Sequence, residues 1–362
     1  MEKAKQYFCA KPNGKLHYPH TILTGFGFLA SSIAWAIYDP YITKILNYLL
    51  SNSATITSWS AKLNETFPKL AEFAAANGEN VTTAAGGITL VPLFIGIIMT
   101  FDNIFGVIFQ PTFGKLSDNT HSRFGKRRPY VIFGAPISAV LFAIIPLVAI
   151  KFNSLPLTML FIILFVFVMS LWRAPVVALM PDLTPSEIRS EGNAVINLMG
   201  SAGGILVLAL GMVFATSAVR NSLMSYTGYF AVIAAIMLSA LVIFMLTVRE
   251  KEWAYEMQQQ AVALGIEEET QAQEEAAGGR KLSVDEVKSL IFLLLSIVLW
   301  FFGYNAVTSK YSVYASNILH KDYNLTLIIA QAAAIVAYLP VGFIAGKIGR
   351  KKTILAGVVT VS

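Results

Sequence analysis

The sequence predicts an all-α membrane protein with eight complete spanning helices and the beginning of a ninth. Of its 362 residues, 56% are apolar and only 13% are charged, and the mean hydropathy is +0.63. Soluble domains contain roughly 45 to 50% apolar and about 25% charged residues. Long segments lack Asp, Glu, Lys and Arg, and each approaches the ~20 residues that a helix needs to cross a bilayer. A porin-type barrel is excluded, because it would show alternating segments of about ten residues.

Six segments of 20 or more residues contain no charged side chain and predict the six clearest spans. They are residues 130–150, 152–172, 192–219, 223–248, 289–309 and 323–346. Two apolar runs earlier in the chain, 21–38 and 83–101, raise the count to eight. The loop 51–86 lies between these two runs, and its residues 59–76 have the pattern of a short amphipathic surface helix.

The positive charges are distributed unequally between the two predicted sides of the membrane. With the N-terminus in the cytoplasm, 19 of the 27 Lys and Arg residues fall on the inner side and 7 on the outer side. The positive-inside rule therefore predicts a cytoplasmic N-terminus. The net charge of +6 is explained by this topology, and we expect no nucleic-acid partner. Cys9 is the single cysteine, so no internal disulfide is possible.

Composition divides the chain into a cytoplasmic N-terminus (1–20), a six-helix half (21–248), a polar cytoplasmic linker (249–288) and a partial C-terminal half (289–362). An internal repeat supports this division. Gly114-Lys-Leu-Ser-Asp118 ends the second span, and Gly346-Lys-Ile-Gly-Arg350 ends the second span after the linker. Two parallel six-helix halves are the arrangement of major facilitator transporters. We expect this major facilitator fold with a truncated second half that lacks about four helices.

The loop after the second span carries a recognisable signature. Its sequence, Gly114-Lys-Leu-Ser-Asp-Asn-Thr-His-Ser-Arg-Phe-Gly-Lys-Arg-Arg-Pro-Tyr130, resembles the form found in glycoside-pentoside-hexuronide:cation symporters and sucrose:proton symporters. Phe101-Asp-Asn103, Trp172-Arg-Ala174 and Pro181-Asp-Leu-Thr-Pro-Ser-Glu187 resemble the sucrose branch and its bacterial relatives. The resemblance covers spans one to eight. It implies a multi-pass secondary active transporter of the plasma membrane, here a bacterial inner membrane. The expected function is proton-coupled symport of a sugar, a disaccharide or glycoside, by alternating access.

The signature loop also predicts a conformational latch. Asp118 is an anion among the cations Arg123, Arg127 and Arg128, and Gly114 would let two helices approach closely. An ion pair in this cluster would hold one conformation and break in another, so we expect these five residues to act in gating. The alternative is a basic inner loop that only sets topology.

Four ionisable residues lie inside the predicted spans: Asp39, Asp102, Arg173 and Lys310. Such residues are costly in lipid and mark transport pathways by default. Counted from the outer ends of their spans, Asp102 and Arg173 fall within about one turn of the same depth. We therefore expect them to face a common cavity and interact, with Asp102 and Asp39 serving in proton coupling. A purely structural ion pair is the alternative.

Sugar binding requires flat aromatic faces and hydrogen-bonding groups. The resemblance assigns Arg173 a role in sugar binding, because the sucrose symporters use an arginine of span four. The other candidates are Trp35, Tyr38, Gln110, Asn193, Asn197, Asn305 and Gln331. Each has an alternative explanation, as part of the interfacial aromatic belt or as an interhelical hydrogen bond.

The sequence favours transport over catalysis. It contains no P-loop, HExxH or CxxC pattern, so we expect no cofactor, no metal site and no enzyme activity. Sodium coupling is disfavoured, because Gly106 and Gln110 stand where melibiose permease has acidic residues. We expect a monomer that binds sugar and protons within the lipid bilayer. The alternatives are a transporter for organic anions or drugs, and a non-transporting sugar sensor or assembly subunit.

Overall fold

The computed structural model describes residues 16–77, 87–184, 189–214, 224–263, 283–317, 319–348 and 350–361. Every regular element in these ranges is a helix, which confirms the predicted all-α class. In chain order the helices are α1 (Tyr18–Ile37), α2 (Thr43–Ser51), α3 (Ala54–Thr66), α4 (Pro68–Asn77), α5 (Val91–Asp118), α6 (Arg128–Phe152), α7 (Leu155–Leu183), α8 (Arg189–Val213), α9 (Met224–Thr247), α10 (Glu250–Ala263), α11 (Val284–Asn317), α12 (Tyr323–Ile348) and α13 (Arg350–Val361).

Seven of the described helical segments are long and apolar enough to cross a membrane. They are the continuous segment from α1 through α2, and α5, α6, α7, α8, α9 and α11. Helix α12 adds a shorter apolar stretch, Tyr323–Ala337, among its described residues. Proline occupies the first or second position of α1, α5, α6 and α7. The first turn of a helix does not use its backbone N–H groups in intrahelical hydrogen bonds. Proline, which has no N–H, is therefore well suited to a helix start.

A π turn interrupts the first span. Residues Tyr38–Ile42 adopt this wider turn between α1 and α2, and the span continues without a break from Tyr18 to Ser51. Pro40 lies inside the turn and cannot donate the backbone hydrogen bond of a regular helix, which explains the local widening. The turn carries both Tyr38 and Tyr41, which point to two different clusters described below.

The spans before the linker pack around a shared aromatic core. Helix α1 contacts α8 and α9, while α6 contacts α7 and α9, and α5 contacts α7. At the α6–α7 contact, the Trp172 indole Nε1 donates to Ser138 Oγ at 3.1 Å. A Cβ atom added at Gly134 would lie only 2.8 Å from the Trp172 Cβ, so this crossing requires a glycine.

The single surface helix predicted over 59–76 is two helices, α3 and α4. Helix α3 ends before Phe67, because Pro68 begins a new helix. The Asn64 side chain fastens α3 to the start of α5: its amide donates to the Ile88 carbonyl at 3.1 Å and accepts from the Ile88 N–H at 2.8 Å. Helix α3 is therefore fixed against the beginning of the second span.

The elements after α9 pack against α7, α8 and the first span. Helix α10 begins within the predicted linker, where Trp253 is buried and stacks on His20 of α1 at 4.5 Å. Helix α11 contacts the π turn and α2, and α12 contacts α8. The end of the bundle formed by residues 114–128 is called the loop end below. Helix α1 begins near it and runs toward the opposite end.

Candidate functional site

Arg173 of α7 lies against the aromatic ring of Trp35. The guanidinium carbon is 4.9 Å from the Trp35 ring centroid, a cation–π arrangement. The Trp35 ring meets Tyr38 edge-on at 5.4 Å, and Tyr38 stacks on Phe165 at 5.9 Å. Three predicted substrate-binding residues, from α1, the π turn and α7, thus form one contiguous group, called the Trp35–Arg173 group.

The indole N–H of Trp35 is buried, and among the described residues it has no hydrogen-bond acceptor. Buried polar groups are nearly always paired, and an unpaired one costs about 1 to 3 kcal/mol. A ligand oxygen placed here would remove this cost. The Trp35–Arg173 group therefore offers a flat ring, an unpaired N–H donor and a fork of guanidinium donors to a polar ligand.

Contacts between α5 and α7 place Asp102 and Arg173 at different depths. Phe109 and Phe113 both meet Phe167, with ring centroids 5.1 and 5.7 Å apart. Arg173 lies six residues beyond Phe167 toward the loop end, whereas Asp102 precedes Phe109 by seven residues. At ~1.5 Å per residue their backbones differ by roughly 10 to 20 Å along the bundle. The predicted equal depth is wrong for the two backbones, and the predicted interaction of their side chains stays a prediction.

The error arises from the relative offset of the two helices. A narrow apolar crevice lies between α5, α7 and the π turn. It is lined by Tyr38, Ile98, Phe101, Phe105, Met159, Ile162, Ile163 and Val166. Positions near 101 of α5 are thus level with positions near 162 of α7, and α5 starts farther from the loop end than α7. Counting from the ends of two spans assumes equal starting levels.

The two predicted coupling residues come close to each other in the backbone. Asp102 follows Phe101, and Asp39 follows Tyr38, so both belong to segments that line the crevice. Their side chains lie outside the described part of the structure, as does that of Asn305 on α11. Their predicted roles therefore stay predictions.

The remaining predicted polar residues lie on three helices. Gln331 of α12 approaches α8 and α1, since a Cβ added at Gly204 would lie 3.8 Å from its amide nitrogen and 3.9 Å from the Ala36 Cβ. Gln331 is thus brought beside the helix that carries Trp35. Asn193 and Asn197 are exposed on α8, where the Asn197 amide donates to the Asn193 carbonyl at 2.9 Å.

Gln110 is half-buried on α5, in the part of that helix nearer the loop end than Asp102. Its amide folds back along its own helix: a Cβ added at Gly106 would lie 3.3 Å from the Gln110 Nε2. In this position the amide covers Gly106 rather than reaching across to α7.

At the loop end, Arg127 joins α5 to α7. Its guanidinium binds Asp118, donates to the Asp182 carboxylate at 2.8 Å and to the Gly114 carbonyl at 3.2 Å, and also donates to Ser117. The Arg127 side chain is 6% exposed. Burial lowers the Arg127 pKa, but the hydrogen bonds and charges of Asp182 and Asp118 outweigh it, so the pKa is raised.

Glu250 caps the helix that follows Arg127. Its carboxylate accepts the backbone N–H groups of Lys126, Arg127 and Arg128 at 2.7, 2.9 and 2.8 Å. N–H groups at the start of a helix have no carbonyl partner within that helix, and the helix dipole favours an anion there. Glu250 supplies this anion at the start of α6. Gly125 has φ +114°, and a Cβ added there would lie 2.4 Å from the Glu250 carboxyl group. Only glycine allows Glu250 to sit this close. We call Arg127, Asp118, Asp182 and Glu250 the loop-end latch.

Other members of the predicted gating set occupy different positions. Arg123 is exposed, with its guanidinium 4.7 Å from the Phe124 ring. The Arg128 side chain donates to the Met245 carbonyl of α9 at 2.5 Å. A Cβ added at Gly114 would meet open space, so the close helix approach predicted there is wrong.

Sequence reasoning missed two residues of the loop-end latch, Asp182 and Glu250. Asp182 lies inside the Pro181–Glu187 motif that carried the family resemblance, and it is the motif's carboxylate nearest the end of α7. Glu250 comes directly after α9 at the same end of the bundle as the basic loop. The sequence did contain a signal for these two residues. Both are acidic and lie at the end of the bundle that carries the cluster of arginines, so they could have been expected to pair with it.

Comparisons with known proteins agree with this architecture. Residues 21–362 match the family model described as the Major Facilitator Superfamily. The structure is similar to that of the xylose transporter XylE from E. coli in a partially occluded inward-open conformation, with a TM-score of 0.54 and 18% identity over 92% of this chain and 74% of that chain. Among curated proteins, none matches the chain. The predicted major facilitator fold is confirmed, and the chain belongs to the Major Facilitator Superfamily.

Proposed function

We propose that this protein is a secondary active transporter that carries a sugar across the membrane by alternating access, driven by protons. The observation that carries the proposal is the Trp35–Arg173 group, in which a buried, unpaired indole N–H lies beside a guanidinium inside the bundle. The fold similarity to a xylose transporter supports the choice of a sugar.

The group matches the chemistry of a pyranose. The indole face packs against the apolar face of the ring, while the Trp35 N–H and the Arg173 guanidinium donate to hydroxyl oxygens. Gln331 brings an amide from α12 to the neighbouring Ala36, so helices before and after the linker both contribute to the site. Such a site, at the interface of the two parts, is where major facilitator transporters hold their substrates.

Proton coupling is assigned to Asp102 and Asp39, at the crevice beside Tyr38. A carboxyl group that binds a proton on one side of the membrane and releases it on the other drives symport. Coupling proceeds through the π turn, because Tyr38 of that turn both lines the crevice and meets the Trp35 ring beside Arg173.

The loop-end latch holds the helices before the linker as one body during the cycle. It connects α5, α6, α7 and α10 through the buried Arg127 and Glu250 and the more exposed Asp118 and Asp182. XylE, the similar protein, was solved in a partially occluded inward-open conformation. We propose that this chain adopts a related state, closed at the end opposite the loop end.

Uptake into proteoliposomes tests the proposal. Radiolabelled monosaccharides and disaccharides are supplied with and without an imposed proton gradient, and Arg173→Lys is compared with Arg249→Lys, an exposed arginine of the same charge. We expect gradient-dependent accumulation of one sugar, lost in Arg173→Lys and retained in Arg249→Lys. Accumulation that is independent of the gradient would refute proton coupling, and no accumulation of any sugar would refute the substrate class.

A second candidate substrate is an organic anion. The observation that favours it is the Arg173 guanidinium beside the Trp35 ring, since a guanidinium can bind a carboxylate through two parallel hydrogen bonds. Competition decides between the two classes. A sugar acid or simple carboxylate that blocks uptake more strongly than any neutral sugar would favour the anion transporter.

A further inference from the structure

A buried tyrosine cluster lies at the end of the bundle opposite the loop end. Tyr41 of the π turn meets Tyr226, Tyr229 and Tyr323 with ring centroids 5.9, 4.9 and 5.8 Å apart. All four rings are fully buried. Tyr226 and Tyr229 belong to α9, whereas Tyr323 begins α12, so this cluster joins elements on both sides of the linker.

Two side-chain hydrogen bonds cross between these two parts inside the cluster, one between Tyr226 and Tyr323 and one between Tyr41 and Asn324. The Tyr41 hydroxyl donates to the Asn324 Oδ1 at 2.6 Å. Asn324 is itself fully buried, and its backbone N–H donates to the Asp322 carboxylate at 2.8 Å, a cap at the start of α12. Both partners are therefore held in place: Tyr41 by the rings around it, and Asn324 by the helix cap.

Helix α8 closes the cluster from a third side. A Cβ added at Gly211 would lie 2.2 Å from the Tyr41 hydroxyl oxygen and 2.9 Å from the Asn324 Oδ1. Only a hydrogen atom fits between α8 and this hydrogen bond. The seal is thus tight enough to exclude a water molecule at Gly211. Lys44, one turn beyond Tyr41, covers the outer side with its ammonium group 4.8 Å from the Tyr323 ring centroid.

The cluster is connected to the proposed substrate group through one segment. Tyr41 and Tyr38 share the π turn, and Trp35 lies six residues before Tyr41, about 9 Å along the helix. A ligand that displaces Tyr38 or Trp35 would therefore strain the turn that carries Tyr41. Widened π turns often occur at functional sites and bend more easily than regular helix.

We infer that this cluster is the gate at the end opposite the loop end. It is closed by the Tyr41–Asn324 hydrogen bond and opens when that bond breaks. The inference rests on the alternating access proposed above, and it names the residues that seal one side of the pathway. By the positive-inside prediction, this is the outer gate. The structure describes it in its closed state, with Tyr41 and Asn324 fully buried.

Thiol labelling tests the gate without any transport assay. A reporter cysteine is introduced as Ala36→Cys, between Trp35 and the gate, in a Cys9→Ser background that removes the single native cysteine. A membrane-impermeant maleimide is added to the tyrosine-cluster side of oriented vesicles. Tyr41→Phe and Asn324→Ala should raise the labelling rate about three- to tenfold, as expected when one buried hydrogen bond no longer favours the closed state.

Ser170→Ala is the matched control. Its hydroxyl is also buried, but it donates to the Val166 carbonyl at 2.9 Å within its own helix, α7, away from the tyrosine cluster. This variant should label like the parent. Gly211→Ala should label faster, because its methyl group cannot fit beside the closed bond. The elution profile and melting temperature of each variant identify any that has failed to fold.

Unchanged labelling in Tyr41→Phe, Asn324→Ala and Gly211→Ala would overturn the gate, as would equal acceleration in Ser170→Ala. Failure of the gate and failure of the proposed function remain distinguishable, because labelling requires neither sugar nor a proton gradient. Sugar uptake with unchanged labelling would reject the gate and keep the transporter. Accelerated labelling without uptake of any sugar would keep the gate and reject the substrate.

Discussion

Replacement of Arg127 by lysine tests whether the shape of its guanidinium, rather than its charge, holds the loop-end latch together. Arg127 contacts two carboxylates, a backbone carbonyl and a serine hydroxyl from three nitrogen atoms. A lysine at this position keeps the positive charge but offers one nitrogen atom. It can retain one carboxylate and one further acceptor, so about two of the four hydrogen bonds are lost.

The expected loss of stability follows from those two bonds. A hydrogen bond to a charged group contributes about 1.5 to 3 kcal/mol and a neutral one about 0.5 to 1.5 kcal/mol. Asp118 and Asp182 are 56% and 38% exposed and regain water when released, which places the charged bond at the low end of its range. Ser117 is fully buried and does not regain water. Together these terms give a loss of about 2 to 4 kcal/mol for Arg127→Lys.

Unfolding by SDS in mixed micelles, followed by circular dichroism, measures this change. Arg123→Lys is the matched control, because Arg123 lies in the same loop and is exposed. It should change the free energy of unfolding by no more than about 0.5 kcal/mol. If Arg127→Lys is as stable as Arg123→Lys, the guanidinium geometry does not hold the helices together, and the latch is only a basic loop.

Three further results are expected. Trp35→Phe removes the unpaired indole N–H and keeps an aromatic ring, so the sugar concentration for half-maximal uptake should rise about three- to tenfold; an unchanged value would mean that the N–H does not meet the substrate. Gly125→Ala should cost at least about 2 to 3 kcal/mol, because alanine is strained at φ +114° and displaces Glu250, whereas Gly114→Ala, which meets open space, should not destabilise the protein. Burial raises the pKa of Glu250 above its ordinary value of 4.5, so the folded protein binds this proton at a higher pH than the unfolded chain does, and its stability relative to Glu250→Gln should increase as the pH falls from about 7 toward 5. A stability difference that shrinks on acidification would contradict that direction.

Much of the fold could be predicted from local sequence patterns. The charge-free segments anticipated α6 and α9 to within two residues at each end, whereas α7 ends eleven residues and α11 eight residues beyond their predicted segments. Prolines at the helix starts explain several of the boundaries. The patterns did not show that the first span would contain a π turn. Hydropathy reports which residues prefer lipid, and that preference does not depend on whether a single turn is widened around Pro40.

The candidate site was predicted only in part. The residue types identified Trp35, Tyr38 and Arg173, which the fold brings into one group. The depth estimate for Asp102 and Arg173 failed, since it depended on where two separate helices begin along the bundle. That offset is set by side-chain packing between α5 and α7, and no pattern within either helix records it.

The sequence alone determined which segments form the spanning helices, where several of them start, and the basic loop that marks one end of the bundle, because each of these follows from residues close together in the chain. Only the tertiary structure decided which charges meet in the loop-end latch, which tyrosine is bonded to Asn324, and how far Asp102 lies from Arg173. Glu250 and Gly125 are 125 positions apart, and Tyr41 and Asn324 are 283 positions apart. Contacts of this kind depend on the relative positions of whole helices, which arise from the combined packing of many side chains.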